Sequence, residues 1–78
     1  MTLDQLKTFL WVSRLGGVRK AAHEMNITQP AVSGRISALE ESLGTTLFDR
    51  THRGVSLTKQ GVLLRDYAEK IADLIEGI

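Results

Sequence analysis

The sequence predicts a single, mainly α-helical domain that carries one short β hairpin. A chain of 78 residues is long enough for only one core. Apolar residues, which make up 42% of the chain, recur at helical spacing in most segments. Two short stretches rich in threonine, valine and leucine are joined by a glycine-containing connection, as in a hairpin. The absence of cysteine excludes a disulfide scaffold, a thiolate metal site and a cysteine nucleophile.

The first helix is predicted to begin after Thr2, because Gln5 stands three residues later and completes a capping box. Residues at helical spacing follow, namely Leu3, Leu6, Phe9, Leu10 and Ser13. Gly16 and Gly17 end the run, since glycine adopts the left-handed conformation of a helix C-cap without strain.

A second helix is predicted over residues 18–25, with Ala21, Ala22 and Met25 on its inner face. The two adjacent alanines allow another helix to approach closely. Asn26 follows, and asparagine is one of the few residues other than glycine that tolerates a positive φ. The sequence therefore predicts a tight turn at this point.

A third helix is predicted to begin after Thr28, whose hydroxyl suits an N-cap. Pro30 lies in its first turn, where a missing backbone N–H has no cost. A stripe of apolar residues at steps of four, three and four is predicted to be buried: Val32, Ile36, Leu39 and Leu43. Gly44 ends this helix.

Two short strands are predicted over residues 45–48 and 55–57, and the connection over residues 50–54 contains a glycine that suits a tight turn. Thr58 then caps a last helix that is predicted to run to the end of the chain. A helix of about 20 residues is about 30 Å long, which is more than one small body can cover.

The last helix carries a heptad-like apolar seam, which is widened by Leu63. We therefore expect it to pair with a second copy of the chain, although an amphipathic helix more often packs on its own domain. The residues predicted to make the contact between copies are Leu64, Tyr67, Ala68, Ile71, Leu74, Ile75 and Ile78.

The order helix, tight turn, helix, hairpin is that of a winged helix-turn-helix, which places its third helix in a major groove of DNA. Here the exposed side of that helix is predicted to carry small, amide or hydroxyl side chains: Thr28, Gln29, Pro30, Ser33, Gly34 and Ser37. Glutamine bonds adenine through two hydrogen bonds, and serine serves as donor or acceptor. Arg35, at one edge, can reach a guanine or a phosphate.

Charge is unevenly distributed along the chain. Residues 1–59 carry eight Lys or Arg against five acidic residues, whereas residues 60–78 carry two against four. This pattern favours a polyanion as the partner of the basic part, with chance scatter as the alternative. We expect phosphate contacts from cationic residues of the second helix and the hairpin: Arg19, Lys20, Arg50 and Arg53. For Arg50, an ion pair with Asp49 is the alternative.

Other classes of function find no support in the sequence. His23 and His52 lie far apart with no cysteine to join them, so we expect no metal and no cofactor. No carboxylate or nucleophile forms a pattern with either histidine, which argues against an enzyme. The apolar runs are too short to span a membrane, and residues 1–5 lack the features of a secretory signal, which favours the cytoplasm.

Four stretches closely resemble the N-terminal DNA-binding domain of LysR-type transcriptional regulators: Ala21–Ser33, Leu39–Gly44, Leu47–Arg50 and Leu57–Gly61. The resemblance implies a bacterial regulator that activates or represses promoters. It also implies that residues 1–58 form the DNA-binding domain and that residues 59–78 form a linker helix, which pairs two copies. The small-molecule effector of such regulators binds a separate C-terminal domain, which these 78 residues do not contain.

The resemblance further implies base or phosphate contacts by Thr28, Gln29, Pro30, Ser33 and the two residues after it, with Arg50 and Arg53 in the wing. Many members have arginine directly after the serine, whereas this chain has Gly34 and then Arg35. The arginine is thereby shifted by about 100° around the helix, which leaves both a base and a phosphate open as its target.

We therefore expect a homodimer that binds a roughly palindromic site in double-stranded DNA. The alternatives are a protein-interaction module that uses the same fold for dimerisation without DNA, and an enzyme fragment. A protein-binding module would expose large apolar side chains on its third helix, and this sequence places glutamine, serine, glycine and threonine there.

Overall fold

A computed structural model describes residues 1–51 and 54–75, which form four α-helices and one two-stranded antiparallel sheet. In chain order the elements are α1 (Leu3–Leu15), α2 (Val18–Met25), α3 (Gln29–Leu43), β1 (Phe48–Thr51), β2 (Gly54–Leu57) and α4 (Lys59–Leu74). The predicted fold class, three helices followed by a hairpin wing and a long helix, is confirmed.

The helix ends lie where the capping residues predict them. Each predicted N-cap hydroxyl accepts a hydrogen bond from the helix backbone: Thr2 from Gln5 at 3.1 Å, Thr28 from Ala31 at 3.2 Å and Thr58 from Gly61 at 3.0 Å. The first three helices end at a residue in the left-handed conformation, with φ of 75° at Gly16, 60° at Asn26 and 69° at Gly44. These caps hold the turn between α2 and α3 to three residues.

The core lies between α1 and α3 and is closed by the base of the wing. The largest fully buried apolar side chains are Phe9, Leu10, Val12, Val32, Ile36, Leu39 and Leu47. The ring of Phe9 also contacts that of Phe48 on β1, with centroids 5.3 Å apart. One prediction of burial is wrong: Leu43 is 42% exposed, because it lies in the last turn of α3. Leu3, in the first turn of α1, is 43% exposed. Met25 is half-buried.

The first strand was predicted to begin at residue 45, but β1 begins at Phe48. The reason is that the preceding backbone bonds back to α3 instead of to a strand. The N–H of Thr45 donates to the carbonyl of Glu40 at 3.2 Å, and the N–H of Leu47 donates to the Glu40 carboxylate at 2.6 Å. Pairing then runs from Phe48 opposite Leu57 to the end of the hairpin.

The start of α4 is joined to the base of the wing. The backbone N–H of Thr58 donates to the carbonyl of Leu47 at 3.0 Å, and its hydroxyl donates to the carbonyl of Thr46 at 2.8 Å. Gly61 allows this close approach, because a Cβ there would overlap the carbonyl oxygen of Leu47. The same hydrogen bonds from Thr58 therefore position both the base of the wing and the start of α4.

The prediction of Ala68 as a dimerisation contact is wrong, because this part of the seam covers the chain's own core. Ala68 is fully buried, and Leu64 and Ile71 pack against the core. A residue with no exposed surface cannot contact a second copy, so Ala68 is not a partner contact. The helix also ends at Leu74 instead of running to the chain terminus, and Ile78 lies outside the described residues.

A bidentate ion pair joins α4 to the last turn of α1. The Nε of Arg14 donates to Oε1 of Glu69 at 3.1 Å, and Nη2 donates to Oε2 at 2.7 Å. The hydrogen bonds from Arg14 lower the pKa of the Glu69 carboxyl below its usual value, and the same contact raises the pKa of Arg14. No helix within residues 1–51 and 54–75 is long and apolar enough to cross a membrane.

Candidate nucleic-acid interface

The outward side of α3 brings most of the predicted base-contacting residues together. Packing against α1 and α2 buries the side of α3 that carries Val32, Ile36 and Leu39. The residues predicted to face DNA are exposed with one exception, the half-buried Ser33: Thr28, Gln29, Pro30, Gly34 and Ser37. We call these six residues the α3 surface.

The α3 surface is uncharged, and most of its side chains are small. Its side chains are hydroxyls, an amide, a proline ring and a glycine, so donors and acceptors are present without formal charge. Gly34 is helical, and a Cβ built on it would meet nothing within 4 Å. Packing therefore does not require glycine at this position. The surface suits close approach to the hydrogen-bonding edges of bases in a major groove.

Arg35 does not lie on the α3 surface. Its side chain is half-buried on the flank of α3 that faces α1, and its Nη1 donates to the hydroxyl of Thr8 at 3.4 Å. Thr8 is fully buried, and its own hydroxyl donates to the carbonyl of Asp4 at 2.7 Å. At about 100° per residue, Arg35 stands about 200° around the helix from Ser33. The structure therefore separates the one cation of α3 from the polar residues of the α3 surface.

Arg19 and Lys20 are exposed in the first turn of α2, where the sequence predicted phosphate contacts. They border an open cleft together with Leu15, His23 and Glu24. The N-cap of α2 is Gly17, which provides no side-chain hydrogen bond to the helix start. Sequence reasoning did not use this feature, although backbone N–H groups at a helix start attract phosphate oxygens.

In the wing, Arg50 is exposed on β1 opposite Val55. Asp49 precedes it on the strand, so the two side chains point to opposite faces of the hairpin. They form no ion pair with each other. Arg53 and His52 lie outside the described residues.

The basic residues divide into paired and unpaired groups. Arg14 pairs with Glu69, and Arg65 lies 3.6 Å from Asp66 on α4. Within the described part of the chain, no carboxylate lies within 4 Å of the cationic groups of Arg19, Lys20, Arg35 or Arg50. Positive charge free to meet a polyanion therefore lies on α2, on the flank of α3 and on β1, and also at Lys7 on α1 and Lys59 and Lys70 on α4.

The described residues contain no group of three His, Asp or Glu side chains that could hold a metal ion. His23 is exposed on α2. No side chain of the α3 surface is a carboxylate or an imidazole. The α3 surface can therefore form hydrogen bonds, and the nearby cationic side chains can attract negative charge.

A second surface lies on the outer side of α4. Leu63, Tyr67 and Leu74 are 61%, 60% and 85% exposed and follow one another at helical spacing, and we call them the α4 outer stripe. The stripe borders a shallow groove whose other wall includes Leu43 at the end of α3. Of the predicted dimer contacts, Tyr67 and Leu74 belong to this stripe, and Ile75 is 42% exposed beside it. Leu63 was missing from the predicted contacts, although its spacing from Tyr67 indicates it.

Comparison with known proteins gives a consistent match. Residues 3–62 match the family described as "Bacterial regulatory helix-turn-helix protein, lysR family". The chain is 42% identical over 76 residues to the HTH-type transcriptional regulator TfdT of Cupriavidus pinatubonensis, covering 97% of this chain and 33% of TfdT. It is 40% identical over 76 residues to the regulator ClcR of Pseudomonas putida, covering 97% of this chain and 26% of ClcR. The chain thus spans a third or less of these relatives.

Solved structures agree with this match. The chain is similar to a crystal structure of the CbnR_DBD-DNA complex, with a TM-score of 0.91 and 36% identity over 96% of this chain and 86% of that one. It is also similar to the BenM_DBD/catB site 1 DNA complex, with a TM-score of 0.93 and 36% identity over 96% of this chain and 84% of that one.

Proposed function

The chain belongs to the LysR family of bacterial helix-turn-helix regulatory proteins, and from this we propose that it binds double-stranded DNA as the sequence-reading part of a transcriptional regulator. The observation that carries the proposal is the uncharged α3 surface, together with exposed cations on α2 and β1 that have no carboxylate within 4 Å among the described residues. DNA complexes of BenM and CbnR, which share this fold, support it. The relatives are named as regulators, so the chain is not an enzyme.

In the proposed complex, α3 enters the major groove with the α3 surface against the bases. Gln29 reads adenine, while Ser33 and Ser37 donate to or accept from base edges. Thr28 and Pro30, at the start of α3, contact the bases or backbone beside them. The composition of the α3 surface favours DNA over a protein as its partner. Its hydroxyl and amide side chains can form hydrogen bonds with bases, and its six residues include none of the large apolar side chains that bind protein partners.

Phosphate contacts in the proposal come from the elements that flank α3. Arg19 and Lys20 on α2 and Arg50 on β1 are exposed, and no carboxylate of the described residues lies within 4 Å of their cationic groups. We assign Arg53 the same role from its position in the sequence, since it lies outside the described residues. These contacts fix the orientation of α3 and supply much of the affinity, which therefore falls as salt rises.

We further propose that two copies associate through α4. The support is the α4 outer stripe, three large apolar side chains on one side of the helix that are each at least 60% exposed. A symmetric pair would present two α3 helices to a roughly palindromic site. Residues 59–78 then act as the linker and dimerisation helix, and residues 1–58 act as the DNA-binding domain.

Regulation by an effector is proposed to involve more than these 78 residues, because the relatives TfdT and ClcR are longer proteins. Because the chain spans a third or less of their length, we propose that a small-molecule effector acts through a part outside these 78 residues. We also propose a cytoplasmic location, where bacterial promoter DNA is found. No cofactor takes part in the proposed binding.

The proposal is tested by selecting duplexes from a randomised library with the 78-residue chain, then titrating a selected and a scrambled duplex by fluorescence anisotropy at several salt concentrations. We expect tighter binding of the selected duplex and a steep loss of affinity with salt for both. Failure to bind any duplex at low salt, with the dimer intact by sedimentation, would contradict the proposal and favour a protein-interaction module.

A further inference from the structure

We propose that Arg35 contacts a phosphate of the DNA backbone and not a base, and that the buried Thr8 of α1 is the positioning residue that holds it for this contact. The inference rests on the proposed DNA-binding function and deepens it. It starts from the 3.4 Å hydrogen bond between Nη1 of Arg35 and Oγ1 of Thr8.

The place of Arg35 on α3 argues against base contact. A helix with its side chains is about 10–12 Å across, and the major groove is about 12 Å wide. The side of α3 directed into the groove therefore meets base edges, while its flanks meet the two phosphate strands. Arg35 stands on the flank next to α1, about 200° from Ser33 on the α3 surface. A side chain on this flank lies beside the groove wall.

Thr8 holds the guanidinium on that flank. The threonine is fully buried in α1, and its hydroxyl donates to the carbonyl of Asp4 at 2.7 Å. The single hydroxyl hydrogen is thereby used, which leaves the oxygen free to accept from Arg35. The bond restricts a long side chain that otherwise samples many rotamers, so less conformational entropy remains to be lost on binding.

The charge of Arg35 is left without a counterion. Within residues 1–51 and 54–75, no carboxylate lies within 4 Å of its guanidinium, and Thr8 occupies only one of five N–H donors. A half-buried cation with unused donors is ready for a bidentate contact with a phosphate. This separates two functions on α3: neutral side chains read bases, and its only cation contacts the backbone.

The experiment uses the 78-residue chain and measures binding to a selected and a scrambled duplex across a range of salt. We compare Arg35→Gln, Arg35→Lys, Thr8→Val, Thr8→Ser and the double variant Thr8→Val/Arg35→Gln. Arg65→Gln on α4 is the matched control, because that arginine already lies beside Asp66 and away from the α3 surface. Thermal unfolding of each variant reports whether the fold is intact.

We expect Arg35→Gln to lower the slope of log affinity against log salt by about 0.9 for each protomer, with the ratio of affinities for the two duplexes unchanged. Arg35→Lys keeps the slope, and Arg65→Gln leaves both quantities as in the unchanged chain. Thr8→Val weakens binding of both duplexes, Thr8→Ser restores it, and the loss disappears when Arg35 is already glutamine.

Three outcomes overturn the assignment. A change in the affinity ratio on Arg35→Gln makes Arg35 a base reader, and an unchanged salt slope with lowered stability makes it a structural residue only. An equal effect of Thr8→Val with and without Arg35 removes Thr8 as its positioning residue. In each case the unchanged chain still binds DNA, so the result is distinct from failure of the proposed function.

Discussion

The carboxylate of Glu40, on α3, accepts a hydrogen bond of 2.6 Å from the backbone N–H of Leu47, at the base of the wing. A second bond of 3.3 Å comes from the N–H of Phe48, where β1 begins. One side chain thus ties the helix that carries the α3 surface to the hairpin that carries Arg50. The position of the wing relative to α3 is set by this contact as well as by core packing.

Replacing Glu40 by alanine is expected to destabilise the fold by about 1–3 kcal/mol, because two backbone N–H groups lose their acceptor. Glu40→Gln keeps an acceptor oxygen and should lose less. Urea unfolding measures the difference, and Glu41→Ala is the control because the neighbouring Glu41 is exposed. A Glu40→Ala variant as stable as the unchanged chain would show that the contact contributes nothing.

Gly61→Ala is expected to destabilise the fold by about 1–3 kcal/mol although alanine is the better helix former. The new Cβ would overlap the carbonyl oxygen of Leu47 and stand 2.9 Å from a methyl group of Leu57. Gly34→Ala is the matched control, since the space there is open and helix propensity should add about 0.5–1 kcal/mol. Thermal melts that shift in the same direction for both variants would contradict this account.

Stability is expected to depend on pH through Glu69. Because Arg14 lowers the pKa of Glu69 in the folded chain, the ion pair stabilises the fold above the ordinary pKa of glutamate. The contribution is lost as pH falls through the lowered pKa, because the carboxyl is then protonated in both states. The side chains are 35% and 39% exposed, so we expect no more than about 1 kcal/mol.

The comparison that isolates this contribution is the free energy of unfolding of the unchanged chain and of Glu69→Gln, measured from neutral pH down to about pH 3. The difference in free energy of unfolding between the two proteins should be largest at neutral pH and should disappear in acid. If this difference increased as the pH fell, the ion pair between Arg14 and Glu69 could not be its cause.

Gln29→Ala is expected to cost about 1–3 kcal/mol on a selected duplex and little on a scrambled one, because in the proposed complex the amide reads a base and not the backbone. Anisotropy titrations of both duplexes measure this ratio. Ser42→Ala, in the last turn of the same helix, is the control and should change neither affinity. An equal loss on the two duplexes would move Gln29 to the phosphate contacts.

Tyr67→Glu is expected to weaken self-association by about 2 kcal/mol or more, since it places a charge within the α4 outer stripe. Sedimentation equilibrium measures the dissociation constant. Val62→Glu is the matched control, because Val62 is 39% exposed on α4 but lies about 100° from Leu63 and off the stripe. Similar dissociation of the two variants would place the contact between copies elsewhere.

Capping residues made the helices predictable, because Thr2, Thr28 and Thr58 act through local hydrogen bonds. The start of β1 was not predictable, because the amide of Leu47 bonds to a side chain on another element. Apolar spacing on α4 was consistent with two stripes about one residue apart, and periodicity alone does not tell which one the core covers.

The polar residues of the α3 surface were predictable for a related reason. Once Val32 and Ile36 are assigned to the core, helical geometry directs Pro30, Gly34 and Ser37 outward, whereas Gln29 is exposed because it is the first residue of α3. The placement of Arg35 was only partly predictable. Its angle follows from the helix, but its hydrogen bond depends on Thr8, which is distant in sequence.

The bonds from Thr58 to Thr46 and Leu47 bring the two ends of the wing segment to one point, directly beside the start of α4. Whatever length of chain lies between them, α3 and α4 keep the same relative position. We therefore expect that the tip of the hairpin can be lengthened, shortened or given other charges, which would change its reach along DNA, while α3 and α4 keep their spacing within one chain.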